Sequence, residues 1–414
     1  MIKVWAGVDT GKAHHHCVVI DAEGRRLLSR RVANDEPELE ILIADVVALG
    51  QEVTWTTDMA GGGAALLIGL LAAAGQQLLY LPGHTLAHAA GGYRGEGKTD
   101  ARDAAVIADQ ARMRRDLQPL RPGDEITAEL KILTERRKDL SCDRTRVVNR
   151  MRGLLTGIFP ALERELSLTS TGPLVLLTGY QAPAAIRRMG AGRLEAWLRT
   201  RHVRGAAGLA GAACAAAARQ HIVLPGEALT ASLIAGLAKE AITLSERLRE
   251  IDKLIEERFR RHRCAHVIIS MPGIGPLLGA EFLAATGGDM TWFANADRLA
   301  GFAGLAPAPR DSGRIRGNLH RPRRYHRGLN RVFYYSAMIS IRTCPESKDF
   351  YDRKRAEGKK HTQAVLALAR RRVNVLWALI RDNRAYQPRT ARSHEPQQPG
   401  AAARHDPHRP APAA

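Results

Sequence analysis

The apolar pattern of this 414-residue chain changes period near residue 126, and that change limits what the chain can build. Before it, short apolar runs alternate with helical stretches. IKVWAGVD, HHCVVIDAEG and RRLLSRRV read as three strands, the last two joined by a glycine turn. EPELEILIADVVALG has helical periodicity, EVTWTTD is a short strand, GGGAALLIGLLAAAG a helix and QQLLYLP a further strand. TDARDAAVIADQARM is a helix opening at Thr99, a good N-cap residue. Strands first and alternating units after imply a mixed α/β sheet over residues 1–125.

Beyond 126 the pattern belongs to long helices. Leu133, Leu140, Val147 and Leu154 recur every seven residues, with Leu130 and Met151 on the interleaved row and Arg137 and Arg144 between them. Ile234, Ala241, Leu248 and Ile255, interleaved with Leu237, Leu244 and Ile251, form a second run. Two such runs predict an antiparallel coiled-coil arm or a dimerisation element; a pair of packed core helices is the plainer alternative. This α-helical coiled-coil segment covers 126–264, and its Ala/Gly-rich middle, 158–228, has no assignable pattern. From 265, VIISMPGIGPLLGAEFLAATG sets PGIG between two apolar helical segments. That is a helix-hairpin-helix-like element, in which Gly273 and Gly275 would offer backbone N–H groups to a phosphate. An ordinary helix–helix turn is the alternative. This third, mainly α unit runs over 265–386. Residues 387–414, rich in Pro, Ala, Arg, His and Gln, lack apolar periodicity and are expected to be disordered.

A net charge of +20 favours a polyanionic partner, nucleic acid first. A membrane partner is not expected, since no apolar run reaches 18 residues and no lipidation signal is present. The N-terminus leads directly into a strand, with no signal peptide visible. The five cysteines, Cys17, Cys142, Cys214, Cys264 and Cys344, are scattered without CxxC or zinc spacing, which fits a reduced cytoplasm.

Four aspartates stand out in the first unit. Asp9 in WAGVDTGK and Asp58 in VTWTTD each end or interrupt an apolar run, and Asp100 and Asp103 in GKTDARDA are three apart on one helix face. Clustered carboxylates repel one another unless a cation sits between them. Hard oxygen ligands suit Mg²⁺ or Mn²⁺, and such metal sites make and break phosphodiester bonds.

A second centre is GLAPAPRDSGRIRGNLHRPRRYHRGLNR, residues 304–331, with eight arginines and one acid, Asp311. Its prolines and glycines predict loop through Ser312. Guanidinium forks hold nonbridging phosphate oxygens, so Arg310, Arg314, Arg316, Arg321, Arg323, Arg324 and Arg327 are candidate nucleic-acid contacts. A serine among them suits attack on a phosphodiester, although a hydroxyl needs a base or metal to help it. On spacing alone, a loop serine beside a binding patch is the stronger reading.

Asp9 in GVDTGK, an acid ending the fourth strand, KTDARDA, PGIGPLLGAEFLAATG and FAGLAPAPRDSGR occur here in the order seen in one family. Over roughly residues 1–385 the chain resembles the DEDD transposases of bacterial insertion sequences, relatives of the pilin-gene invertases. The resemblance implies an N-terminal RuvC-like RNase H fold, a coiled-coil segment and a C-terminal transposase domain bearing a serine. It implies that Asp9, Asp58, Asp100 and Asp103 bind Mg²⁺, and that Ser312 forms a covalent phosphoserine link to DNA. It also implies a homo-oligomer, dimer or tetramer, in which the acids of one subunit meet the serine of another. A noncoding bridge RNA that pairs with donor and target DNA would supply specificity. One departure is Asp58, where the family typically has Glu; the carboxylate is one methylene shorter. The first rival is a RuvC-type nuclease using the same acids with water as nucleophile. The second is a noncatalytic nucleic-acid-binding protein.

Several other residues carry weaker expectations. His14, His15 and His16 follow the first acid, but strand alternation sends neighbours to opposite faces, and an exposed hairpin is preferred to a metal role. Lys12 and Lys98 flank the acids and either steer phosphate or are simply solvated. Arg370, Arg371 and Arg372 are expected to contact RNA or DNA from a helix whose apolar face packs inward. Trp55 and Trp292 are expected in the core or at an interface.

Overall fold

The computed structural model describes residues 2–93, 97, 99–120, 125–290, 293–314, 316–320 and 322–388. Lys98, Trp292, Arg321 and nearly all of the C-terminal tail lie outside the described residues.

Three antiparallel strands open the chain: β1 (Lys3–Thr10), β2 (His14–Ile20) and β3 (Arg26–Ala33). Helix α1 (Glu36–Ala48) follows, capped by the Asp35 side chain accepting from Glu38 N. Strand β4 (Glu52–Thr57) then pairs parallel with β1. A 3₁₀ turn (Gly62–Ala64) leads to α2 (Ala65–Ala73), β5 (Gln77–Tyr80) and α3 (Gly83–Ala90). Helix α4 (Asp100–Met113) and the short β6 (Gln118–Pro119) complete a six-stranded mixed sheet of order β3-β2-β1-β4-β5-β6.

The sheet buries a different core on each face. Val4, Ala6 and Val8 of β1 pack with Cys17 and Val19 against α1 and α2, where Leu39, Leu42, Leu67 and Leu71 are fully buried. Trp55 lies in the same core, and its Nε1 donates to Gln76 Oε1 at 3.3 Å. On the opposite face Val18 and Ile20 meet Ala104 and Ala108 of α4. Alanines alone would not bring a helix this close. Gly7 does: a Cβ there would stand 2.3 Å from both Ala104 O and Ala108 N. Alternation also places His15, 1% exposed, in the α1/α2 core beside Cys17, whereas His14 and His16 face α4. The expected exposed hairpin therefore holds for His14 only.

Beyond the sheet the structure is almost entirely helical. Helix α5 (Glu125–Ile158) and α10 (Glu227–Arg261) pack along each other. They run antiparallel, because Glu129, Arg137 and Arg144 meet Arg258, Asp252 and Ser245 in turn. Leu140, Val147 and Met151 share one core with Ile234, Ala241 and Ile255. Burial of each large side chain stabilises by roughly 1.5–3 kcal/mol. Arg137 and Arg144 keep part of the seam polar, Arg144 also donating to Thr169 O at 2.7 Å. Over one stretch α10 is long and apolar enough to cross a membrane by length and composition, but its apolar face lies against α5.

The Ala/Gly-rich stretch forms α6 (Pro160–Glu165), α7 (Thr171–Gly179), α8 (Pro183–Arg199) and α9 (Ala206–Ala218). Helices α11 (Ala265–Ser270) and α12 (Pro276–Thr286) flank the PGIG turn. Helix α13 (Ala296–Phe302) precedes a two-stranded hairpin of β7 (Ala308–Pro309) and β8 (Leu319–His320). Helices α14 (Arg327–Thr343), α15 (Pro345–Ala356) and α16 (His361–Arg381) close the fold.

Among the described residues no helix beyond α4 packs broadly on the sheet. One side-chain link between the two parts is Arg324 Nη2, which donates to His88 Nε2 of α3 at 2.9 Å.

Candidate active site and nucleic-acid interface

Strands β1 and β4 are neighbours and parallel, so Asp9, near the end of β1, and Asp58, immediately after β4, emerge at the same edge of the sheet. Carboxyl ends of adjacent parallel strands are where open α/β sheets bind ligands. Helix α4 crosses the same region. Thr99 caps it, accepting from Arg102 N at 3.2 Å, which starts the helix at Asp100 and places Asp103 in its first turn. The resulting cleft of about 920 Å³ is lined by Asp9, Asp58, Asp100 and Asp103, together with His14 and residues of α3.

Three neighbours fix this edge. Thr10 points to the face opposite Asp9, and both its backbone N and its Oγ1 donate to Asp58 Oδ1, at 3.3 and 2.9 Å. Asn34 Nδ2 donates to Lys12 O at 3.2 Å and Gly63 O at 3.0 Å, tying the turn after Asp9 to the loop after Asp58. Arg102 donates to the carbonyls of Ala90, Tyr93 and Gly97, holding the end of α3 and the following loop against α4. Burial, then the charge of Asp58, push the Tyr80 phenol up. Burial lowers His15 and His16, the latter partly offset by the charge of Asp100.

The donor set is chemically right for Mg²⁺ or Mn²⁺. Asp58, Asp100 and Asp103 form no ion pair with Lys or Arg among the described residues. Also among the described residues, no three acids, histidines or cysteines form a ready-made ligand cluster. Mg²⁺ does not require one, because it commonly takes one or two carboxylates plus water and substrate phosphate oxygens. The residues fit a cation that is completed by its substrate.

The basic segment folds around its hairpin. Arg310 N donates to Asn318 O at 2.8 Å, and Asn318 N donates to Asp311 Oδ1 at 2.9 Å. Ser312 is exposed at the start of the turn, followed by Gly313 with φ +54°. Arg310, Arg314, Arg316, Arg323 and Arg327 are exposed and free of ion pairs among the described residues. Arg324 reaches His88 on α3, the helix whose Leu86, Ala87 and Ala90 line the acid cleft. Ser312 itself is not among the cleft-lining residues.

Two expectations require correction or refinement. Arg372 is 4% exposed, its Nε donating to Ser336 Oγ at 2.9 Å and its Nη2 to Pro272 O, so it cannot touch nucleic acid. It lies on the buried row of Leu368, Val365 and Leu376, and burial pushes its guanidinium down to about 10. Arg370 pairs with Asp297, and Arg371 lies over the Phe350 ring. Gly273 has a packing reason of its own: φ is +80°, and a Cβ would stand 2.5 Å from Ser336 O of α14. Gly275 is exposed with open space around it.

Sequence reasoning did not single out Thr10, Asn34 or His88. For Thr10 a signal was available: in a strand, the residue after a cleft acid points to the other face.

Comparison with known proteins agrees with this layout. Residues 6–160 match a family profile described as "Transposase", of the IS110 DEDD type, and residues 265–352 match "Transposase IS116/IS110/IS902 family". The chain is 62% identical to the insertion element IS900 uncharacterized 42 kDa protein of Mycobacterium paratuberculosis, over 94% of this chain and 98% of that one. It is 50% identical to the insertion element IS116 uncharacterized 44.8 kDa protein of Streptomyces clavuligerus, over 93% and 96%. A pilin gene-inverting protein of Moraxella bovis is 31% identical over 31% of this chain and 40% of its own length.

Proposed function

Because the chain belongs to the IS116/IS110/IS902 family of transposases, enzymes that cut and rejoin DNA, we propose that it does so with Ser312 as nucleophile and the cleft of Asp9, Asp58, Asp100 and Asp103 as its partner site. The observation that carries this reading is the meeting of four acids from β1, β4 and α4 in one cleft. Those carboxylates would hold Mg²⁺, or Mn²⁺, which when bound supplies charge neutralisation at a phosphodiester.

The serine step conserves bonds. Ser312 Oγ attacks phosphorus, the Oγ–P bond forms as the P–O3′ bond breaks, and the serine proton is balanced by the one the departing 3′-oxygen takes up. A 3′-hydroxyl then attacks the phosphoserine of the partner strand, which restores a phosphodiester and the free serine. No nucleotide is consumed, because the bond energy is kept in the phosphoserine. Residues 92–99 do match GxxxxGK[ST], but the match follows helix α3 and not the strand that a phosphate-binding loop of that kind requires.

The exposed arginines of 310–327 would hold DNA or RNA backbone phosphates, with the PGIG turn at Gly273 and Gly275 as an additional phosphate contact. A surface that reads backbone leaves sequence choice to base pairing, which a noncoding bridge RNA joined to donor and target DNA would provide. Ser312 lies outside its own chain's acid cleft, which supports an assembly of two or four copies in which one copy's serine meets another's acids. Helices α5 and α10, read as a coiled-coil arm, would hold that assembly together. The setting is the bacterial cytoplasm, at the nucleoid.

The same separation favours one rival, a RuvC-like nuclease in which water attacks and Ser312 is idle. Adduct trapping decides between them. The protein, purified with its co-expressed RNA, is given Mg²⁺ and labelled element-junction DNA, then run on denaturing gels beside Ser312→Ala and Asp100→Ala. Label that travels with the wild-type protein and vanishes in both variants supports the serine reaction. Protein-free cleaved DNA still produced by Ser312→Ala would rule it out.

A further inference from the structure

The acid cleft contains a histidine whose hydrogen-bonding direction is set by its neighbour. Residues opposite one another on antiparallel strands share a face, and Asp9 pairs with His16. His14, two residues along β2, is on that face too, and it lines the cleft with the four aspartates. His16 is engaged elsewhere, its Nε2 lying 3.0 Å from Ser29 Oγ. His14 is exposed, and its Nδ1 lies 3.2 Å from Arg31 Nη2 of β3.

A guanidinium has donors only, so Nδ1 must be the acceptor of that contact. The neutral ring then carries its hydrogen on Nε2. Nε2 has no other partner among the described residues, and in this tautomer it has no lone pair to give a metal. The cleft wall therefore presents an N–H donor, backed by a fixed positive charge, beside four carboxylates; Arg102, which also lines the cleft, is occupied by the carbonyls of Ala90, Tyr93 and Gly97. A phosphodiester entering among four carboxylates needs such a donor for its nonbridging oxygens.

Resting on the reading of this cleft as the DNA-cutting site, we propose that His14 contacts substrate by donating Nε2–H to a nonbridging phosphate oxygen. Arg31 is the positioning residue that fixes its tautomer.

The test uses the full chain with its co-purified RNA and element-junction DNA in Mg²⁺. Strand-cleavage rate and, separately, Mn²⁺ affinity by calorimetry are measured for wild type, His14→Ala, His14→Gln, Arg31→Ala and Asp103→Ala. The loss of one preorganised donor should slow His14→Ala by about 10-fold or more. Its Mn²⁺ affinity should be unchanged, His14→Gln should recover much of the rate through its amide N–H, and Arg31→Ala should fall between. Wild-type cleavage by His14→Ala, no recovery in His14→Gln, or weakened Mn²⁺ binding in His14→Ala would each overturn the proposal. Asp103→Ala separates the two levels. If it cleaves normally, the acid-cleft reading itself has failed; if it is inactive while His14→Ala is normal, only the role of His14 has.

Discussion

Thr10 Oγ1 donates to Asp58 Oδ1 at 2.9 Å, so the residue next to the first acid orients the second. The two acids are thereby coupled across adjacent strands. Thr10→Val keeps the shape and β-branching but leaves Asp58 with only the longer backbone contact. Stability should fall by about 1 kcal/mol. Cleavage should fall further, by about 10-fold, because misplacement of a reacting group is costly. Thermal melting and a single-turnover cleavage assay measured on one preparation check both, and equal small effects on the two would show that Thr10 only packs.

Gly7→Ala forces α4 away from β1, since the new methyl would meet Ala104 O and Ala108 N at 2.3 Å. Overpacking of this kind costs about 1–3 kcal/mol. The helix that must move carries Asp100 and Asp103, so activity should be lost even at temperatures where circular dichroism shows the variant folded. An active, folded variant would mean that α4 can shift without disturbing the acids.

His15 gives the fold an acid-sensitive position. Burial holds it below its ordinary value of 6.5. As pH falls below 6.5 the unfolded chain takes up a proton that the folded chain resists. Stability is therefore retained above 6.5 and lost progressively down to the folded value. Among the described residues neither ring nitrogen makes a well-formed hydrogen bond, and the Asn34 side chain only partly offsets the burial. His15→Leu should flatten the acid limb of melting temperature against pH, and an unchanged slope would assign that limb to other groups.

Arg372 is a buried cation that joins the PGIG turn to α14 through Pro272 O and Ser336 Oγ. Arg372→Met should destabilise by about 2–3 kcal/mol, because hydrogen bonds to a charged group are lost and a buried carbonyl is stranded. The midpoint of urea unfolding measures this. An unshifted midpoint would show that the turn holds without the guanidinium.

The acids were legible because each sits beside a strong local signal: Asp9 and Asp58 at the ends of β-branched and aromatic runs, Asp100 and Asp103 behind the Thr99 cap. Their convergence was an expectation from the family resemblance and not from local pattern, since it depends on β1 pairing with β4 and on α4 closing over Gly7, both long-range events. The helices of 158–228 stayed hidden for a different reason. In α9 the buried positions Ala206, Ala210, Ala213 and Ala217 are alanines, and so are many exposed ones, leaving no contrast for a period to show. Arg372 misled because it stands in a run of three arginines, of which helical spacing buries one.

The sheet domain is joined to the helices beyond it by the covalent chain and by side-chain links such as Arg324 to His88, without broad packing among the described residues. A contact of that size adds little to the binding free energy. If the proposed serine reaction holds, the choice of serine loop by an acid cleft is governed by effective concentration rather than by affinity. Within one copy the linker sets that concentration; between copies, an arm that holds them at fixed spacing can raise it above the intramolecular value. On the proposed assembly, a change in the length of the α5/α10 pair would alter which serine is used without touching either reacting group.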